Sequence, residues 1–164
     1  AGVGSDVPLF LSGVASLCRG RGELVSRRAP LRTGWILLIK PSFSLPTPRV
    51  YEWMRKYLKK EKGATSIGLR PGNSKILDFR NDLELVVFDR YPALKECRDA
   101  LLSSGARVAL MSGSGAAMWG HFGRKADAEA AADKFSSKRG WRIFMVRPLV
   151  SSPLTVASLE IDTN

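Results

Sequence analysis

The sequence predicts an α+β fold: a two-layer sandwich of a mostly antiparallel sheet with helices on one face. Three observations carry this reading. Short apolar runs at residues 35–39 and 107–111, with an alternating run at 141–146, have the length and residue types of strands. Helical patterns separate them, above all the alanine-rich stretch at 125–137. A glycine-rich turn, Ser112-Gly113-Ser114-Gly115, joins two apolar runs directly, which reads as strand, tight loop, strand.

In chain order, Ser5 or Asp6 suits the cap of a short helix with Pro8 in its first turn, where proline is tolerated. The alternative is a carboxylate held at a helix start beside a cleft, available as a general base. Residues 13–28 read as extended, with Gly20 and Gly22 marking a bulge or hairpin. Arg19 and Arg21 there are either phosphate ligands or solvated edge charges. Residues 35–39, Trp-Ile-Leu-Leu-Ile, form a buried strand that Lys40-Pro41 ends. Thr47 is the expected N-cap of a helix with Pro48 at its first position, and Tyr51, Met54, Tyr57 and Leu58 recur at helical spacing. Tyr51 therefore sits on a first helical turn, either facing a ligand or packing in the core. Residues 63–75 are an expected surface loop.

Asn81-Asp82-Leu83-Glu84 opens a helix with acidic residues at its positive end, expected to run toward Tyr91. Pro92 breaks it and starts another, which Gly105 closes after Ser103. The glycine-rich hairpin follows, then the alanine-rich helix, which Gly140 ends, and a last strand; residues from 151 onward read as a tail. In the hairpin loop, Gly113 and Gly115 allow close approach of backbone or ligand, and successive amides with the Ser112 and Ser114 hydroxyls can form a concave anion site. A plain β-turn explains the same residues.

With 26 Lys and Arg against 15 Asp and Glu, the net charge is +11, which favours an acidic partner. No apolar run reaches the length of a membrane span, so no membrane partner is expected. Cys18 and Cys97 lie far apart, which suggests a reducing compartment and gives no metal motif. His121 alone reads as a surface or packing residue. The basic run at 56–62 reads as a solvated helix end, with nucleic-acid binding as the rival interpretation. The absence of an initiator Met leads to the expectation of a chain cut from a longer protein, or processed.

Four motifs stand in a recognisable order. They are Gly4-Ser5-Asp6-Val7-Pro8-Leu9-Phe10, Gly20-Arg21-Gly22-Glu23, Lys40-Pro41 with Pro46-Thr47-Pro48-Arg49-Val50-Tyr51, and Asn81-Asp82-Leu83-Glu84 followed by Met111-Ser112-Gly113-Ser114-Gly115. In this order the chain, from Gly4 to about Arg147, resembles the carboxyl-terminal part of the GHMP kinase superfamily. Within it, the branch it is most similar to phosphorylates a cytidine-diphosphate-linked alcohol for non-mevalonate isoprenoid synthesis.

The resemblance implies a ferredoxin-like domain at residues 31–150, preceded by the end of an amino-terminal domain at 1–30 and followed by a tail at 151–164. It implies that Asp6 is the catalytic aspartate, that Tyr51 stacks on the cytosine and that Thr47 belongs to the same substrate loop. Ser112, Gly113, Ser114 and Gly115 would be the active-site loop. The implied cofactor is ATP with Mg²⁺, bound mostly by the family's amino-terminal half. That half, with its catalytic lysine and glycine-rich ATP loop, has no counterpart in these residues, so this chain alone is expected not to turn over ATP. The implied partners are ATP and a cytidine diphosphate derivative, with the protein a monomer or homodimer. The implied compartment is the cytoplasm of a bacterium or the stroma of a plastid. Two alternatives stay open: a GHMP kinase for another alcohol, and a basic module binding nucleic acid.

Overall fold

Leu37 and Ile39 are wholly buried while Ile36 and Leu38 beside them are only half-buried, the two-residue alternation of a strand with one face on a core. That strand belongs to a computed structural model that describes residues 9, 15–20, 22, 24–28, 34–60 and 79–149. Expectations for Asp6, the helix start around it, the 63–75 loop and the tail from 151 lie outside the described residues. The chain divides into two compact units, one of Gly34–Val146 and one of Ala1–Thr33 with Arg147–Asn164.

In the second of these, β1 (Ser16–Arg19) and β2 (Leu24–Arg27) form an antiparallel hairpin. Gly20 and Gly22 have φ of 68° and 112° at its turn, a region that glycine enters without steric cost.

The Gly34–Val146 unit is built on four strands: β3 (Trp35–Lys40), β4 (Val108–Met111), β5 (Met118–Phe122) and β6 (Arg142–Val146). Their order is β4-β5-β3-β6, and every neighbouring pair is antiparallel. The register places Leu37 opposite both Gly120 and Met145, and Ile39 opposite both Met118 and Ile143. These residues share one face with Ala109 and Met111, whose partners across the strands are Gly120 and Met118. The helices cover that face. α3 (Pro92–Ser103) contributes Leu94, Cys97 and Leu101, and α4 (Lys125–Ser136) contributes Ala128, Ala131 and Phe135. All six join the sheet residues in one buried cluster. A side chain at Gly120 would bring its Cβ within 3.1 Å of the Leu101 methyl, so the missing side chain lets α3 settle against β5. This is the expected α+β sandwich, with the strand order of a ferredoxin-like domain.

Two elements depart from the sequence reading. α1 (Thr47–Lys60) begins one residue early: the Pro46 carbonyl accepts from the Val50 amide, so Thr47 is already helical. Its hydroxyl is thereby released from capping. The helix expected from Glu84 to Tyr91 is a single turn, α2 (Glu84–Val87). The amides of Arg90 and Tyr91 both fold back on the Val87 carbonyl, and Pro92 keeps Tyr91 out of the helical region, at φ −130° and ψ 71°.

Candidate functional site

The 112–115 loop lies at the end of the edge strand β4, and three elements hold it. Within the hairpin, the Ser112 amide donates to the Ala117 carbonyl at 2.8 Å and the Gly115 amide to the Ser112 carbonyl at 2.9 Å. Gly113 and Gly115 adopt φ of 55° and 95°, where a side chain is strained. At Gly115 a Cβ would also lie 2.8 Å from the Met111 sulfur and 2.9 Å from a Leu45 methyl.

From α1, the Thr47 hydroxyl meets the Ser114 hydroxyl at 2.7 Å. One turn later on the same helix, Tyr51 is 52% exposed, so it is not the core residue that its helical spacing allowed. It opens instead onto a cavity of about 570 Å³ lined also by Asn81, Asp82, Ser112, Gly113 and Trp119. Thr47, Tyr51 and the loop, expected together from separate stretches of sequence, are thus neighbours. Asp6 lies outside the described residues.

The segment leading into α2 supplies the third tether, which the sequence reading missed. Asn81 donates through its amide nitrogen to the Met111 carbonyl at 2.8 Å and to the Gly113 carbonyl at 2.7 Å. Its carbonyl oxygen accepts from the Leu83 amide at 3.1 Å, a local turn made by the side chain. Glu84 does not serve the positive end of its own helix. Its carboxylate accepts from the Met111 amide at 2.6 Å and faces the Arg98 guanidinium at 3.4 Å. Only 7% of Glu84 is exposed, and burial raises its carboxyl above the usual range despite these two partners. The available signal was a glutamate set in an otherwise apolar stretch, Leu83 to Phe88.

The site is rich in donors. Ser112 lines the cavity, next to the loop residue Ser114 that meets Thr47, with Arg80 in the cavity wall paired to Asp82 at 3.4 Å. Such a surface suits an anionic or polar ligand with a flat group for Tyr51 to cover. Among the described residues no three His, Cys, Asp or Glu side chains gather in a way that would hold a metal. His121 is buried in β5, which leaves packing, not the surface, of the two roles expected of it.

Residues 70–140 match the family described as GHMP kinases C terminal. A curated 4-diphosphocytidyl-2-C-methyl-D-erythritol kinase from Geobacter metallireducens is 33% identical over 150 residues, 90% of this chain and 53% of the relative. Its counterpart from Syntrophotalea carbinolica is 35% identical over 149 residues, 90% of this chain and 52% of the relative. The chain therefore spans about half the length of the curated relatives it matches. A solved structure of 4-(cytidine 5'-diphospho)-2C-methyl-D-erythritol kinase superposes with a TM-score of 0.63 at 29% identity, covering 88% of this chain and 54% of that one.

Proposed function

Because this chain carries the carboxyl-terminal domain of the GHMP kinases, we propose that it forms the substrate-binding side of a 4-diphosphocytidyl-2-C-methyl-D-erythritol kinase. The reaction is transfer of the γ-phosphoryl group of ATP to the 2-hydroxyl of the cytidine-diphosphate-linked alcohol, in non-mevalonate isoprenoid synthesis. ATP with Mg²⁺ would supply the phosphoryl group and neutralise its charge. This chain's share is to bind and orient the alcohol and, through Asp6, to handle the proton of its hydroxyl.

In this reading Tyr51 stacks on the cytosine, while Thr47 and Ser114 brace α1 against the glycine-rich loop. The 112–115 loop presents amides and hydroxyls to the ligand's phosphates. Asp6 takes or orients the proton of the attacking hydroxyl. Residues 1–30 form the end of the preceding domain and 31–150 the carboxyl-terminal one. The observation that carries the proposal is the shared cavity: an exposed tyrosine from α1 and the glycine-rich loop open onto one space.

Calorimetric titration with CDP tests it. The wild-type chain binds CDP, and Tyr51→Ala weakens binding by about tenfold or more, as loss of a base–aromatic stack does. Equal affinity for the two proteins would remove Tyr51 from the site. No binding by the wild type would remove the cytidine pocket from this chain.

A further inference from the structure

Among the described residues, the end of β4 is an edge whose outward backbone groups face no further strand in the sheet. Two side chains from the segment before and within α2 occupy that place. Glu84 takes the Met111 amide, and Asn81 takes the Met111 carbonyl together with the Gly113 carbonyl two residues on. The carboxamide of Asn81 can be oriented in only one sense. Its nitrogen faces two carbonyl oxygens and its oxygen faces the Leu83 amide, so a half-turn would set oxygen against oxygen and nitrogen against N–H. Both hydrogens of the nitrogen are used, and both go to the approach and the first turn of the glycine-rich loop.

The two carbonyls bridged this way flank Ser112. A backbone with glycine at 113 and 115 has wide conformational freedom, which the hairpin bonds restrict from one side only. Asn81 supplies the restriction from the other side, and the Thr47–Ser114 contact depends on where the loop then lies.

We infer that Asn81 is a positioning residue: its carboxamide, clamped on Met111 and Gly113, sets the conformation in which the 112–115 loop meets ligand. The link to nucleotide affinity rests on the function proposed above; the clamp on the loop does not.

The experiment reads the two separately, on the whole chain. Amide hydrogen exchange is followed by NMR without ligand in wild type, Asn81→Ala, Asn81→Asp and Leu101→Ala. The aspartate variant keeps the side chain's shape and the Leu83 bond but has no hydrogen to donate to the two carbonyls. In both Asn81 variants the Ser112 and Gly115 amides exchange about tenfold faster or more, while amides of the β3–β6 ladder stay within about threefold of wild type. Leu101→Ala, a core change remote from the loop, speeds the ladder without singling out the loop. Loop amides that gain no more than the ladder in the Asn81 variants would overturn the inference. CDP is then titrated into the same proteins. Binding by wild type that weakens about tenfold in both Asn81 variants extends the clamp to ligand affinity. A wild type that binds no CDP would sink the proposed site while the exchange result still decides the clamp.

Discussion

Met111 has both of its outward backbone groups satisfied by side chains, one of which is a carboxylate removed from water. Burial makes that carboxylate reluctant to ionise, and Arg98 and the Met111 amide only partly offset the cost. The folded chain therefore holds the Glu84 proton more tightly than the unfolded chain does. The resulting stability is complete below the ordinary carboxyl value of 4.5 and drains away as pH rises through the raised value. Glu84→Gln keeps an oxygen for the Met111 amide and does not titrate. Its melting temperature relative to wild type should climb as pH is raised above the ordinary carboxyl value of 4.5; a difference that ignores pH would contradict this account. At this scale the sequence was only partly legible. Thr47, Tyr51 and the loop glycines were singled out by the resemblance to a known family, while local pattern placed them only at a helix start and in a tight turn. The partners of Asn81 and Glu84 at Met111 and Gly113, 27 to 32 residues away along the chain, could not be picked out, because no local pattern encodes which backbone group a side chain will meet.

Leu101 lies under Gly120, with no exposed surface, at the contact between α3 and the centre of the sheet. Leu101→Ala should cost about 2–5 kcal/mol, the range for a buried leucine whose surroundings relax only in part, as read from urea denaturation. A loss below about 1 kcal/mol would mean that α3 is not seated against the sheet as described. Elements of this kind were readable because their apolar residues repeat at the spacing of a helix or a strand and because Pro92, Gly105 and Gly140 punctuate them. α2 was misread for a definite reason. The apolar run from Leu83 to Phe88 satisfies a helical pattern, but the Val87 carbonyl takes two amides at once and Pro92 forbids continuation. The start of α1 slipped by one residue because the Pro46 carbonyl accepts the Val50 amide, which leaves the Thr47 hydroxyl to Ser114. That contact joins parts of the chain 67 residues apart.

The whole molecule carries a net charge of +11, and the ion pairs Glu52–Lys56, Lys95–Asp99, Arg124–Asp127 and Lys125–Glu129 are largely exposed, where such pairs contribute little to stability. The excess charge acts instead on what approaches. Affinity for CDP should fall about threefold or more when salt is raised from about 0.05 M to about 0.5 M, as screening shortens the reach of the basic surface. An affinity independent of salt would leave only contacts such as the tyrosine stack to explain binding. None of the described helices is long and apolar enough to cross a membrane.

The same charge bears on how molecules of this protein meet one another, and so does the end of β4. A strand with open hydrogen-bonding groups is a template on which a second copy can grow, the first step of many aggregates. At Met111 that template is already filled, by an amide and a carboxylate from the molecule's own chain. The clamp that aims the glycine-rich loop thus also keeps this part of the sheet from nucleating a stack of its own kind.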